Sequence, residues 1–166
     1  LHGRFFDSLY VDNQAHPYSL AHISEWMRLV RLGAGKDNVM LIDLGDALQG
    51  DNAVYYANYI DTAKDGGKHL FTRIAEFMKY DALVVGNHDI EAGHPVYDRI
   101  KNETDIPYLA ANAIDVATGK SYFKPYTILE KGGLKIAVIG MTNPNIKKWL
   151  GEELWSGMDF CPIEAL

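Results

Sequence analysis

The chain has 166 residues, is 48% hydrophobic and 23% charged, and carries a formal net charge of −6 at pH 7. This composition is typical of one globular domain with a core of ordinary size, and it lacks the excess of Lys and Arg on which nonspecific binding to nucleic-acid polymers or anionic membranes depends. The single cysteine excludes an intrachain disulfide and a cysteine-rich zinc site, and no apolar run approaches the roughly 20 residues of a membrane span.

Local patterns predict helices that alternate with strands along the chain. The first helix covers 19–32, where apolar residues recur at helical spacing between an N-cap at Ser19 and a terminator at Gly33 or Gly35. Further helices are predicted at 51–63, at 70–78 on the stripe Leu70, Ile74, Phe77 and Met78, and after Pro95 on Val96, Tyr97 and Ile100. Strands are predicted at 39–42, 82–85, 108–111, 126–129 and 134–139, the last two joined by a turn at 131–133. This order indicates an α/β fold with a mixed sheet and helices outside it.

Polar groups with the chemistry of metal ligands follow two of these strands. Gly86-Asn87-His88-Asp89 comes directly after the apolar run 82–85, and Gly45-Asp46 comes just after 39–42. A third candidate, His2, lies near the start of the chain. Because ligands bind at the carboxyl ends of strands in open α/β sheets, we expect a composite site assembled by the fold.

These side chains suit a pair of metal ions. A carboxylate such as Asp46 has two oxygens and can bridge cations about 3.5–4 Å apart, as in two-metal hydrolytic sites. The Asn87 carbonyl oxygen is a neutral ligand, and the His2 imidazole is a good ligand for zinc, iron, nickel or manganese. His88 would lie beside the metals, where it could donate to a phosphoryl oxygen or protonate a departing alkoxide.

The three blocks resemble those of a known family. His2-Gly3, Gly45-Asp46 and Gly86-Asn87-His88-Asp89, in this order, resemble the first three signature blocks of the calcineurin-like metallophosphoesterases. Longer segments are similar to the amino-terminal catalytic domain of the bacterial 5'-nucleotidase and 2',3'-cyclic-nucleotide phosphodiesterase family. These segments are 2–6, 45–50, 111–112, 123–126 and 134–140.

The resemblance implies a fold and a domain organisation. The fold would be α/β with mixed β-sheets, the four-layer αββα metallophosphoesterase sandwich, of which this chain would be a truncated amino-terminal portion. Residues 1–166 would form an incomplete catalytic domain. The rest of that domain, with further histidine ligands, and a carboxyl-terminal nucleotide-binding domain would lie outside the chain. The expected compartment is the bacterial periplasm or the cell exterior.

The resemblance also assigns metal ligands. His2 matches the histidine of an Asp-x-His block whose aspartate would precede Leu1, Asp46 matches the bridging aspartate, and Asn87 matches the asparagine on the second metal. The cofactor would be two divalent ions, with Zn, Mn, Fe, Co and Ni all suited to mixed oxygen and nitrogen ligands.

His88 matches the catalytic histidine of the family. Its acidic partner would lie three positions later, at Glu91, and Asp89 competes for this role. The implied reaction is hydrolysis of a nucleotide or another small phosphoester, in which a hydroxide between the metals attacks phosphorus and His88 assists the leaving group. The isolated chain is expected to bind metals weakly and to be nearly inactive.

Two alternatives to a nucleotide hydrolase stay open. One is another hydrolase of the superfamily, acting on a non-nucleotide ester or a sulfur-containing substrate. The other is a metal-binding domain without catalysis.

Four histidines and three other polar residues are expected to have no role in the site. His16, His22 and His69 are predicted on the surface or on helix faces, and His94 is predicted to open a helix. Asp43 and Gln49 are expected to bond to the backbone of their loop, and Asn112 to pin the end of a strand.

Overall fold

The structure is a computed structural model that describes residues 2–9, 11–61 and 67–165. The strands, in chain order, are β1 (Ser8–Leu9), β2 (Gln14–Ala15), β3 (Ile42–Asp43), β4 (Ala82–Val84), β5 (Tyr108–Leu109), β6 (Ala113–Asp115), β7 (Tyr126–Lys131), β8 (Leu134–Ile139) and β9 (Met158–Phe160). The helices are α1 (Leu20–Ala34), α2 (Asn52–Tyr55), α3 (Leu70–Met78), α4 (Asn87–Glu91), α5 (His94–Glu103), α6 (Ile146–Trp149) and α7 (Glu152–Trp155). Short 3-10 turns cover Lys36–Asn38 and Ile163–Ala165.

A three-stranded parallel sheet in the order β3-β4-β5 positions the site. In its register Ile42 pairs with Ala82 and Leu83 pairs with Tyr108. Ala82, Leu83 and Leu109 are fully buried, as expected of parallel strands covered on both faces. Antiparallel pairs β1-β2, β6-β9 and β7-β8 surround this sheet, so the predicted mixed α/β fold is confirmed.

Elements with strong local signals form where they were predicted. The Ser19 hydroxyl accepts the His22 N–H as the N-cap of α1, and Gly35, with φ of 83°, ends that helix. Pro95 lies in the first turn of α5, whose buried face is formed by the predicted residues Val96, Tyr97 and Ile100. The β7-β8 hairpin turns at Gly132 and Gly133, which both have positive φ, as a two-residue turn between antiparallel strands favours.

Several predicted elements differ in the structure. The strand predicted at 39–42 is shortened and shifted to Ile42–Asp43, and the strand predicted at 108–111 is reduced to Tyr108–Leu109. The helix predicted at 51–63 is α2 followed by a π-helical turn, Tyr56–Ile60, in which the Asp61 N–H donates to the Tyr56 carbonyl; residue 63 lies outside the described residues. On α3 the predicted core residue Phe77 is 77% exposed, whereas Phe71 is buried and stacks on Phe5 with ring centroids 6.0 Å apart.

The core draws on the parallel sheet, on helices α3, α4, α5 and α6, on β9 and on the loop after β3. Its largest buried side chains are Tyr97, Phe71, Leu48, Leu83, Ile90, Ile100, Leu109, Ile146 and Met158. Asn112 has the predicted structural role, since its amide bonds to the backbone of Thr142 and Cys161 and so joins the segments after β8 and β9. Among the described helices, none has both the length and the apolar character needed to cross a bilayer.

Candidate metal centre

The loops that follow β3 and β4 touch each other through two glycines. A Cβ added to Gly45, where φ is 91°, would lie 2.4 Å from the Gly86 nitrogen. A Cβ added to Gly86 would lie 2.2 Å from Oδ1 of Asp46. Both positions therefore require glycine, one for its positive φ and both for the close approach of two backbones.

A buried carboxylate joins the two loops. Asp89, which is 1% exposed, accepts the N–H groups of Gly86 and Asp46 on Oδ2, at 2.8 and 3.0 Å, and those of Ala47 and Leu48 on Oδ1, at 3.0 and 3.1 Å. Burial raises the pKa of Asp89 to about 7, although the hydrogen bonds from the backbone oppose that rise. Asp89 therefore holds the two loops together by accepting hydrogen bonds from their backbone N–H groups.

The backbone of Asp46 is in the left-handed region, and this conformation positions its carboxylate. Its φ is 61°, and its carbonyl accepts the His2 N–H at 3.0 Å. Its Oδ1 accepts the His88 N–H at 3.2 Å. A non-glycine residue in this region is uncommon, costs about 1–2 kcal/mol, and recurs at functional sites, where the surrounding structure enforces it.

The predicted ligands His2 and Asp46 meet His88 at this point. One donor atom from each of the three side chains lies within 4.8 Å of the other two. The rings of His2 and His88 form an edge contact with centroids 4.9 Å apart. His2 is exposed while Asp46 and His88 are half-buried, so the cluster opens to solvent. Asn87, the remaining predicted ligand, is half-buried and is the first residue of α4, directly before His88.

His88 has a carboxylate partner on the next helical turn. Its Nδ1 bonds to Oε2 of Glu91, and both side chains are about 30% exposed. The structure thus places Glu91, and not Asp89, against the imidazole. Because Nδ1 is engaged, Nε2 is the nitrogen left for chemistry at the cluster.

Asp43 adds a further carboxylate close to Asp46 of the cluster. Asp43 bonds through Oδ1 to the Gly45 N–H at 2.9 Å, as predicted, and burial raises its pKa with a further contribution from Asp46. Burial also raises the pKa of Tyr108, whose hydroxyl has no hydrogen-bond partner within the described parts of the chain. A bound cation would relieve the repulsion among these carboxylates, so the electrostatics and the donor atoms both fit divalent metals.

His69 was predicted on the surface or on a helix face, but the structure buries it at the N-cap of α3. Its ring is 1% exposed; Nδ1 accepts the Phe71 N–H at 3.1 Å and Nε2 bonds to Oδ1 of Asn58 at 3.0 Å. Asn58 in turn donates to the Leu48 carbonyl at 2.7 Å. Burial lowers the pKa of His69 to about 4. This network fastens α3 and the π-helical turn to the loop that carries Asp46.

Sequence reasoning did not assign the bridging role of Asp89. A signal for it exists, because Gly86-x-x-Asp89 has the spacing of a capping box, in which an acidic residue at the third helical position accepts the N–H of the N-cap residue. The bonds to Ala47 and Leu48 have no such local signal.

Comparisons with known proteins agree with this geometry. No family model matches the chain. A 5'-nucleotidase from Vibrio cholerae is 34% identical over 161 residues, which are 96% of this chain and 27% of that protein. The trifunctional nucleotide phosphoesterase protein YfkN from Bacillus subtilis is 27% identical over 90% of this chain and 11% of its own length.

Solved structures are similar over nearly the whole chain. The calcineurin-like phosphoesterase YfkN from Bacillus subtilis superposes with a TM-score of 0.80 at 26% identity, covering 98% of this chain and 52% of the solved one. A putative 5'-nucleotidase from Staphylococcus aureus has the same fold, with a TM-score of 0.82 at 23% identity over 98% of this chain and 31% of its own. The chain thus spans about a quarter of the length of the V. cholerae relative. The chain is similar in sequence and fold to calcineurin-like phosphoesterases and matches the amino-terminal part of the larger 5'-nucleotidase and YfkN proteins.

Proposed function

We propose that this chain supplies the first metal ligands and the general acid of a dimetal enzyme that hydrolyses nucleotide phosphoesters. The main support for the proposal is the cluster of His2, Asp46 and His88 near the contact between the two loops, together with the hydrogen bond between His88 and Glu91. The reaction would be that of a 5'-nucleotidase or of a 2',3'-cyclic-nucleotide phosphodiesterase and 3'-nucleotidase.

His2, Asp46 and Asn87 would hold the metals. The imidazole of His2, the carboxylate of Asp46 and the amide oxygen of Asn87 are donor types that suit Zn, Mn, Fe, Co or Ni. When bound, divalent ions act as Lewis acids that polarise the phosphoryl group and neutralise the charge on its oxygens. The loop junction made by Asp89 keeps the Asp46 carboxylate in place, so the ligands require little rearrangement.

His88 is the proposed proton donor. With Nδ1 held by Glu91, the ring is oriented and Nε2 is the nitrogen that can give a proton to the departing alkoxide oxygen. The Glu91 carboxylate stabilises the charged imidazolium before this transfer. The same pairing lets His88 take its proton back from solvent after product release.

The names of the relatives support the substrate class, since they include a 5'-nucleotidase and a nucleotide phosphoesterase. Because the chain spans only part of these proteins, we further propose that residues 1–166 are one portion of a catalytic domain and that other sequence completes the ligand set. The isolated chain would then bind metals weakly and turn over little substrate.

The test uses the protein expressed from its complete reading frame. It is assayed with Mn²⁺ or Zn²⁺ against 5'-nucleotides, 2',3'-cyclic nucleotides and an aryl phosphate. We expect nucleotide hydrolysis that His88→Ala abolishes while the metal content stays unchanged, whereas His16→Ala, at a histidine away from the cluster, keeps full activity. Hydrolysis of the aryl phosphate alone would favour another ester substrate, and no hydrolysis of any ester would favour a non-catalytic metal-binding domain.

Location in the periplasm or outside the cell remains a prediction from the family resemblance. Fractionation of cells that express the complete reading frame would test it, and recovery of the protein only in the cytoplasm would contradict it.

A further inference from the structure

The solvent side of α1 carries three large apolar side chains. Trp26, Leu29 and Leu32 are spaced by three residues, so they are neighbours along one face of the helix. Trp26 is 64% exposed, Leu29 is 45% exposed and Leu32 is 76% exposed. Single exposed apolar residues are common on protein surfaces, whereas a contiguous row of them marks an interaction surface.

Phe77 extends this row onto the neighbouring helix. It is 77% exposed, although the apolar stripe of α3 predicted it in the core. Leu32 and Phe77 both line a cavity of about 450 Å³ between α1 and α3. A second cavity, of about 250 Å³, shares Ser24, Phe77 and Met78 with the first and is otherwise lined by apolar side chains. The two cavities therefore form one groove between the helices, with an apolar end.

Cationic side chains surround the other end of this groove. Four of them line the larger cavity against a single carboxylate, that of Glu25, and they are Arg28, Arg31, Lys36 and Lys79. Glu25 is paired with Arg28 at 2.7 Å, and Arg31 donates to the carbonyls of Met78 and Lys79. Lys36 and Lys79 are exposed, and neither ammonium group has an ion-pair partner among the residues that the structure describes.

Acidic residues close in sequence do not cancel this charge. Asp37, Glu76 and Asp81 do not line the cavity. Glu76 is paired with Lys68 and Asp81 with Lys131. The groove thus has an excess of positive charge in a chain whose net charge is −6.

We propose that this surface, the α1–α3 face, binds an anionic phospholipid membrane. The α1–α3 face consists of the apolar residues Trp26, Leu29, Leu32 and Phe77 with the cations Arg28, Lys36 and Lys79. Large apolar side chains bordered by Lys and Arg are the composition of helices that lie in a membrane interface, where Trp is enriched. A bilayer supplies both acyl chains and phosphates over a broad area, so one partner satisfies the protruding apolar row and the cations beside it.

The overall composition gave the opposite expectation. Net charge averages over the whole chain, whereas the attraction of a cation to an anionic membrane falls off within a Debye length of the lipid surface. A local cluster of Lys and Arg can therefore bind anionic lipid although the whole chain is acidic.

The experiment measures binding of the complete protein to lipid vesicles by flotation. One set of vesicles contains phosphatidylglycerol and phosphatidylcholine in equal parts, and the other contains phosphatidylcholine alone. We expect binding to the anionic vesicles that weakens as NaCl is added. Because each Lys or Arg near an anionic surface contributes about fivefold to affinity, Lys36→Ala/Lys79→Ala should weaken binding about 10- to 30-fold.

A second variant tests the apolar row. Leu32→Ser/Phe77→Ser keeps every charge and should weaken binding about tenfold or more, because two side chains no longer enter the acyl region. Since both residues are mostly exposed, the melting temperature should stay close to that of the wild type. Val116→Ser, at an apolar residue that is 65% exposed after β6, is the control and should leave binding unchanged.

A matched charge control separates the α1–α3 face from net charge. Lys120→Ala/Lys124→Ala makes the same change in net charge at two exposed lysines elsewhere and should leave binding unchanged. Equal losses in the two lysine variants, or equal binding to both kinds of vesicle, would overturn the proposal. Absence of vesicle binding by the wild-type protein would also overturn it and would leave this face to a protein partner.

Trp26 reports the contact directly. Tryptophan emission should shift to shorter wavelength when the protein binds anionic vesicles, and Trp26→Phe should remove this shift. A shift that persists in this variant would place the contact elsewhere and overturn the proposal. No readout here depends on hydrolysis, so these results stand whether or not the proposed catalytic function is correct.

Discussion

Replacement of Gly86 by alanine tests the central structural claim, that close backbone contact between two loops assembles the site. The new Cβ would lie 2.2 Å from Oδ1 of Asp46 and 2.5 Å from its backbone nitrogen, where ordinary contact begins at 3.4 Å. The loops must therefore separate by about 1 Å. Three hydrogen bonds of Asp89 cross this junction, to the N–H groups of residues 46–48, at 3.0 to 3.1 Å.

The cost follows from those bonds. A hydrogen bond to a charged acceptor contributes about 1.5–3 kcal/mol, so losing two of the three should lower the free energy of unfolding by about 3–6 kcal/mol. Because Asp46 is displaced as well, affinity for Mn²⁺ should fall about 10- to 100-fold. Urea denaturation measures the first quantity and isothermal titration of Mn²⁺ into the complete protein measures the second.

A matched glycine provides the control. Gly33 lies in α1, and a Cβ there meets nothing within 4 Å, so Gly33→Ala should leave metal affinity unchanged and stabilise the protein by about 0.5–1 kcal/mol. If Gly86→Ala stays within about 1 kcal/mol of the wild type and binds Mn²⁺ as tightly, the loop contact does not assemble the site.

Three other predictions concern the loop junction, the proton donor and acid stability. Asp89→Asn puts an NH₂ group against two backbone N–H donors and should lower the free energy of unfolding by about 2–4 kcal/mol in urea. His88→Ala should lower kcat about 10²- to 10⁴-fold with unchanged metal content, and Glu91→Gln should lower kcat by a smaller factor. His69 titrates near pH 6.5 when unfolded but only at about 4 when folded, so the unfolded state binds more protons between these values. The contribution of His69 to stability should therefore be constant above pH 6.5 and fall by about 3 kcal/mol as the pH drops to 4, while the raised pKa of Asp89 acts in the opposite direction over this range. The difference in stability between the wild type and His69→Asn, which keeps an acceptor for the helix cap, isolates the contribution of His69.

Each of these predictions has a comparison that can contradict it. Asp115→Asn makes the same chemical change at the end of β6, where asparagine can keep the bond to the Ala117 N–H, and should lower stability much less than Asp89→Asn. Equal losses at both aspartates would mean that Asp89 does not tie the loops. Loss of metal together with activity in His88→Ala would make His88 a ligand. An unchanged acid dependence in His69→Asn would show that His69 is not the titrating group.

Local patterns predicted the elements whose signals are contained within a few residues. Ser19 and Gly35 delimit α1 by capping chemistry, and Gly132-Gly133 sets the β7-β8 turn by its freedom at positive φ. The apolar stripe on α3 shows the limit of prediction from local patterns. Phe77 and Phe71 fit a helix equally well, and only the position of Phe5, far away in the chain, buries one and leaves the other in solvent.

The candidate site likewise combines features that local sequence predicts with features that depend on the tertiary structure. Asp46, Asn87 and His88 are candidates because of their residue types and their positions after a strand, and His2 is a candidate because of its residue type. The partner at Glu91 comes from the family resemblance, which left Asp89 as a competitor. The convergence of these side chains does not follow from local sequence, because it depends on two backbones touching at Gly45 and on a buried aspartate that collects N–H groups more than 40 residues away in sequence.

The sequence by itself determined the candidate site residues, the resemblance to a known family, and the helices and turns whose signals are local. Only the tertiary structure decided that His69 is buried, that Asp89 joins the loops and that Leu32 and Phe77 line one cavity with four cationic side chains. The physical reason is that burial and hydrogen bonding between distant segments depend on the register of the parallel strands. A short sequence pattern does not specify which distant residues will pack against it.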